Sequence, residues 1–218
     1  MKKQAGFTLV EIAIVLVIIG LLLGGVLKGQ EIITNAKIKN LENDFQGITA
    51  AIYSYQDRYR ALPGDDKRAH KRFAGLSSSN HVGDGNGKIK GEFNQNVTNG
   101  ADAGSTGSQD EESYLFWLHL RSAGLIDGEP FDEDGKIYLP TNAFSGVTGV
   151  SSEDVANTTI NGIYVGFSQI PVKVAIIIES RSDDESPNKG SIQTNKSAEN
   201  YTEDAIYELD EIDMYFAL

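Results

Sequence analysis

The chain has 218 residues, 40% of them hydrophobic, a formal net charge of −12 and no cysteine. That length has room for one apolar anchor and one globular head of ordinary size. The acidic balance argues against nonspecific nucleic-acid binding, which needs clustered Lys and Arg against phosphates, and the missing cysteines exclude disulfides and thiolate metal sites.

The chain opens with Lys2-Lys3-Gln4-Ala5-Gly6, then Phe7-Thr8-Leu9-Val10-Glu11, then an apolar run to Leu27. From Phe7 to Leu27 only Glu11 is charged, and 21 residues of helix at ~1.5 Å each just cross a ~30 Å hydrocarbon layer. Lys2 and Lys3 hold the amino terminus in the cytoplasm, so the head is translocated. A secretory signal puts its small-residue cleavage site after the apolar region. Here Gly6 stands ahead of it, and cutting after Gly6 would leave the helix on the product. Glu11 is the anomaly, because an ionisable residue inside a span costs about 2.5–3.5 kcal/mol on insertion scales and usually has a partner. Cleavage would create one, the α-amine of Phe7, four residues earlier on the same helical face. A generic anchor with Glu11 snorkelling toward headgroups explains the apolar run. It gives no reason for Gly-Phe-Thr followed by that glutamate.

The basic leader, Gly6, Phe7-Thr8-Leu9-Val10-Glu11 and the long apolar helix resemble the type IV pilin and pseudopilin superfamily over about Lys2 to Gly25. The resemblance implies cleavage after Gly6 by a membrane prepilin peptidase, methylation of the Phe7 amine, and pairing of Glu11 with a neighbouring subunit's amine during filament assembly. The implied partners are further copies of the chain, other pilins, the prepilin peptidase/methyltransferase, an inner-membrane assembly platform and, before assembly, membrane lipid. The implied location is the bacterial inner membrane, single pass, and then a periplasmic or extracellular filament. Without Lys2 and Lys3 the mature charge is −14. Many pilins close their carboxyl-terminal region with a disulfide, which this chain cannot do. That departure leans toward a pseudopilin, a minor pilin or an atypical major pilin, while the retained Glu11 argues against the tip-located minor subunit that lacks it.

Beyond the membrane, Ile38, Leu41, Phe45, Ile48, Ile52, Tyr55, Tyr59 and Leu62 follow steps of three and four, a narrow apolar seam suited to packing on the protein's own sheet or, alternatively, to a coiled coil between chains. Pro63 and Gly64 end the pattern, so Phe7 to Ala61 reads as one helix of roughly 80 Å at ~1.5 Å per residue. Gly20, Gly24, Gly25 and Gly29 each cost about 1 kcal/mol against alanine and mark where the helix would bend or melt, although glycines also permit close packing of membrane helices. Leu62-Pro63-Gly64-Asp65-Asp66 reads as a turn with two solvated carboxylates, and Lys67 to Gly75 as a short helix with Phe73 inward.

Ser77 to Gln109 is loop-rich. Within it His81-Val82-Gly83-Asp84-Gly85-Asn86-Gly87-Lys88-Ile89 invites a calcium reading through Asp84 and Asn86, oxygen donors spaced by glycines. Lys88 sits where a third oxygen is wanted, so a plain Asn/Gly turn is the preferred reading. Glu111 to Ala123 predicts an amphipathic helix capped by Ser108 or Asp110 and ended by Gly124. Ile137-Tyr138-Leu139, Ile160 to Phe167 and Val172 to Ile178 predict strands, the last two joined as a hairpin through Ser168 to Pro171, with Val172, Val174, Ile176 and Ile178 on one face. Ser180 to Lys196 reads as a polar loop, and Thr202 to about Tyr215 as a final helix.

The expected architecture is α+β. A cleaved leader (1–6) precedes a long amino-terminal α-helix (7–62, with 7–27 transmembrane before assembly), its membrane half followed by an amphipathic half. That helix packs on a head (63–218) of small antiparallel β-sheet, short helices and long loops. No catalytic constellation emerges. His70, His81 and His119 lack metal-ligand spacing, no phosphate loop or nucleophile elbow occurs, and the acids Glu208, Asp210, Glu211 and Asp213 read as a solvated face. The expectation is a structural subunit without a cofactor, in a pilus-like filament or as a pseudopilin of type II secretion. A membrane-anchored extracytoplasmic enzyme or receptor head is the alternative from a different class.

Overall fold

The computed structural model describes residues 9–77, 80–94, 101–102, 112–133, 135–156, 158–195 and 211–218. The chain divides into two units, one ending at Lys39 and the other running from Asn40 to Leu218. The first is helical throughout its described length, as the start of α1 (Leu9–Tyr59). Among the described residues the second holds the rest of α1, three further helices and two sheets: α2 (Ala69–Arg72), β1 (Ala101–Asp102), α3 (Glu112–Ser122), β2 (Lys136–Ile137), β3 (Thr148–Ser151), β4 (Tyr164–Pro171), α4 (Val172–Ser182), β5 (Ile192–Thr194) and β6 (Glu211–Ala217). The α+β class and the long amino-terminal helix are as the sequence predicts.

The seam does what its spacing predicts. Leu41, Ile48, Ile52, Tyr55 and Leu62 are buried, as is Ile38, while Phe45 and Tyr59 are half-buried. The helix ends at Tyr59, because Arg60 turns to φ 52 while still donating its N–H to Gln56 O at 2.8 Å. Helix α3 closes as predicted too: Gly124 adopts φ 65, and Leu125 N–H reaches back to Leu120 O at 3.0 Å.

The main sheet is antiparallel, in the order β3-β4-β6-β5. Its central strand β6 sets Phe216 opposite Val165 and Ile192, and Met214 opposite Phe167. That face meets α1 through the Phe45 and Phe216 rings, whose centroids are 5.1 Å apart. The opposite face is covered as well, by Phe93 packed edge-on against Tyr164 and Tyr215. Gly166 opens the slot for Phe93, since a Cβ there would collide with its ring.

Four expectations are corrected. Val172 to Ile178 is not a strand but most of α4: its buried residues are Val172, Val174, Ala175, Ile178 and Glu179, a helical stripe at spacings of three and four, and Pro171 stands as its N-cap. Hence there is no hairpin through Ser168 to Pro171. Those residues extend β4, with an irregularity between Phe167 and Ile170 where Gln169 takes φ 58. Secondly, residues 211–215 of the expected final helix lie in β6, because β4 and β5 pair with both edges of that segment and both faces are packed; the rest of that helix, 202–210, falls outside the described residues. The expected loop Ser180 to Lys196 contains β5. Finally, the carboxylates of Asp65 and Asp66 are buried, at 4% and 1% exposure.

Candidate functional site

Two regions bear on function, one in each unit. In the first, the apolar helix keeps its large side chains outward: Leu9, Leu21 and Leu27 are 91%, 73% and 66% exposed, and Val15 to Ile19 are exposed throughout. An 18-residue window of α1, none of it buried, is long and apolar enough to cross a membrane. Exposed apolar surface costs roughly 25 cal/mol per Å² in water, so this stretch requires lipid or protein around it. Glu11 lies within α1, at the start of the apolar run. Gly20, Gly24, Gly25 and Gly29 lie within unbroken helix, and a Cβ at any of them would meet no atom within 4 Å. Gly6 and Phe7, the processing positions, lie outside the described residues.

In the second unit, a carboxylate clamp organises the region after α1. Asp66 accepts from Tyr55 Oη at 2.9 Å and from Arg68 N–H at 2.8 Å, and is ion-paired with Arg72. Arg72 in turn donates to Tyr59 O at 3.0 Å and lies 5.3 Å from the centre of the Tyr59 ring. Asp65 points the other way. Its carboxylate receives the backbone N–H groups of Gly85, Asn86 and Gly87, the last at 2.6 Å. Glu112, at the start of α3, accepts from Asp84 N–H at 3.0 Å and Lys90 N–H at 3.1 Å. Gly64 allows the approach: it takes φ 90, and a Cβ would come within 2.6 Å of Glu112 O.

Beneath Gly64 lies His119, fully buried. Gly64 N–H donates to His119 Nδ1 at 2.9 Å, so the ring carries its proton on Nε2, which donates to His81 O at 3.0 Å. Burial pushes the His119 pKa down to about 4, keeping the ring neutral. His81 Nδ1 accepts Ser77 N–H at 2.9 Å. The structure therefore brings two of the three histidines together, and both act as hydrogen-bonding struts.

Of the calcium candidates Asp84 and Asn86, Asp84 does approach other acids: oxygens of Asp65, Asp84 and Glu112 lie within 4.8 Å of one another. N–H donors already occupy this group. Beyond those given, Lys90 Nζ reaches Asp84 Oδ2 at 2.6 Å, Asn86 Nδ2 the same oxygen at 2.8 Å, and Lys88 N–H donates to Asn86 Oδ1 at 2.7 Å. The arrangement is that of a carboxylate pinning a glycine-rich turn, with positive amide dipoles aimed at the place a cation would need. Charges divide accordingly. The Lys90 ammonium holds Asp84 below the usual carboxylate range, burial raises Asp65, and burial, with Asp65 and Asp84 beside it, pushes Glu112 up to about 7. The sequence reading missed Asp65 and Glu112. One signal was available, the run Gly85-Asn86-Gly87, whose clustered amides need an acceptor.

Residues 1–27 match the family model of the prokaryotic N-terminal methylation motif, the prepilin-type signature of type IV pilins and pseudopilins. Comparison with curated proteins and with solved structures gives no match. The motif belongs to a structural, pilin-type class of protein and fits a membrane-anchored chain carrying one long apolar helix.

Proposed function

We propose that the chain is a structural subunit of a type IV pilus-like filament. It is inserted as a prepilin, cleaved after Gly6, N-methylated at Phe7 and polymerised through its amino-terminal helix. The observation that carries this reading is the coincidence of the methylation motif at residues 1–27 with a helix whose apolar side chains are exposed from Leu9 to Leu27. An anchor alone needs lipid around such a surface. A filament subunit needs it twice, against lipid before assembly and against neighbouring helices afterwards, and head-to-tail stacking of identical helices gives a contact that does not close. Glu11 supplies the register, because an acid surrounded by apolar helices is stable only opposite a positive charge, and the Phe7 amine of a neighbour is the one that processing creates.

Glu11→Ala is the test. It removes the charge while easing insertion, so the processed monomer is expected in the membrane at its normal level with polymer lost. Sheared surface material from native cells, with the mature amino terminus read by mass spectrometry, reports both. Abundant filaments beginning at methylated Phe7 support the pilus subunit. The same processed terminus in a periplasmic assembly, without surface filaments, supports a type II secretion pseudopilin instead. Polymer formed equally well by Glu11→Ala, or an unprocessed product beginning at Met1, refutes both.

A further inference from the structure

One buried acid of the second unit lacks what Asp65, Asp66 and Glu112 possess. Glu179, in the last turn of α4, is 1% exposed, and neither of its carboxylate oxygens has a hydrogen-bond partner among the described residues. It faces more negative charge, since oxygens of Glu179, Asp183 and Asp184 lie within 4.8 Å of one another. The carboxyl end of a helix carries partial negative charge as well, which adds to that of the three acids. Burial, with Asp183 and Asp184 beside it, pushes the Glu179 carboxyl up to about 8.

The loop between α4 and β5 fixes the other two acids around that point. Asp183 N–H donates to Glu179 O at 2.9 Å, Ile192 N–H to Asp183 Oδ2 at 2.5 Å, and Ser186 N–H to Asp184 Oδ1 at 3.0 Å. Gly190, at φ 76, closes so tightly over Asp183 that a Cβ would collide with the carboxylate. Both Glu179 oxygens, by contrast, are left without hydrogen bonds among the described residues. In the clamp, amide donors reach both Asp65 and Glu112; here none among the described residues reaches Glu179.

We propose that Glu179, Asp183 and Asp184 bind a divalent cation of the calcium class. The donors are all hard carboxylate oxygens, with neither imidazole nor thiolate. Calcium takes six to eight oxygens in an irregular shell and accepts a loop of this kind, whereas magnesium demands a near-ideal octahedron. Bound there, the cation neutralises the buried charge and ties the end of α4 to the start of β5. The site shares no residue with the amino-terminal helix, so its test is independent of whether the chain polymerises.

The experiment uses the full chain in detergent micelles, stripped with a chelator, titrated calorimetrically with calcium chloride and melted with the buried Trp117 as reporter. One calcium ion per chain and a raised melting temperature are expected. Asp184→Asn, at an exposed position that keeps the oxygen accepting Ser186 N–H, should weaken calcium binding at least tenfold, and Glu179→Gln should abolish it. Asp84→Asn should leave the titration unchanged. Where Glu179→Gln does not fold, Asp184→Asn decides alone. A folded wild-type chain with neither heat nor melting shift, equal binding by wild type and Asp184→Asn, or loss of binding in Asp84→Asn overturns the site. Equal affinity for magnesium overturns the calcium assignment.

Discussion

Replacing Glu112 by glutamine separates the cost of a buried charge from the value of its hydrogen bonds. Glu112 is fully buried and accepts two backbone N–H groups, yet burial raises its pKa from 4.5 to about 7. For an acid raised in this way, the stability gained from its folded-state proton is complete below pH 4.5 and is lost as pH rises through 7. A shift of about 2.5 units at ~1.4 kcal/mol per unit puts the loss near 3 kcal/mol by pH 8. Glutamine does not titrate, but its amide end cannot accept from the second N–H, which costs about 1–2 kcal/mol at every pH. The variant should therefore be less stable than wild type by about 1–2 kcal/mol at pH 4.5 and more stable by a similar amount at pH 8, the two curves crossing at about pH 5–6. His119, held neutral with its pKa pushed down to about 4, works in the opposite direction, losing stability as pH falls below 6.5. It is present in both proteins and cancels in the difference. Urea unfolding of the full chain in micelles, followed by the single tryptophan, Trp117, gives the two profiles. A difference that is constant across pH, or a variant that grows weaker toward pH 8, would refute the argument.

Two further substitutions probe the same clamp. Gly64→Ala forces a side chain into φ 90 and against Glu112 O, and should cost about 3 kcal/mol, read as a lower urea midpoint. Tyr55→Phe removes one hydrogen bond from Asp66 but leaves Arg72 and the Arg68 N–H in place, so the loss should be limited to about 1–2 kcal/mol in the same assay.

What the sequence made legible follows from the range of the interactions involved. The membrane span is a matter of composition over consecutive residues, the seam from Ile38 to Tyr59 is a periodicity along α1, and the place of α3 follows from its own residues, although they are buried on every side from Glu112 to Leu120 and not amphipathic as expected. These were readable because nothing distant decides them. The clamp is of another kind. Asp65 meets donors 20 to 22 residues away, Glu112 meets donors 22 and 28 residues away, and His119 meets an amide 55 residues away. A local reading of Leu62-Pro63-Gly64-Asp65-Asp66 finds only a turn and leaves its acids to solvent. β6 was obscured in the same way: Thr202, Glu203 and Asp204 look like a helix start, but both neighbours of residues 211–217 come from elsewhere in the chain.

The misread segment Val172 to Ile178 also concealed the acid that now matters most there. On a strand, residue 179 would share a face with 173, 175 and 177, opposite the apolar set Val172, Val174, Ile176 and Ile178, and a glutamate there would be solvated and unremarked. On the helix that forms instead, residue 179 shares its stripe with Val172 and Ala175 and is carried inward, next to Asp183 and Asp184. β-branched residues made the strand plausible, yet strand and helix both fit an apolar run this short. The difference between periods of 2 and 3.6 therefore decides whether Glu179 is a surface charge or a buried one. Glu11, by contrast, was conspicuous from the start, because a lone acid in a lipid-length apolar run is anomalous in either conformation.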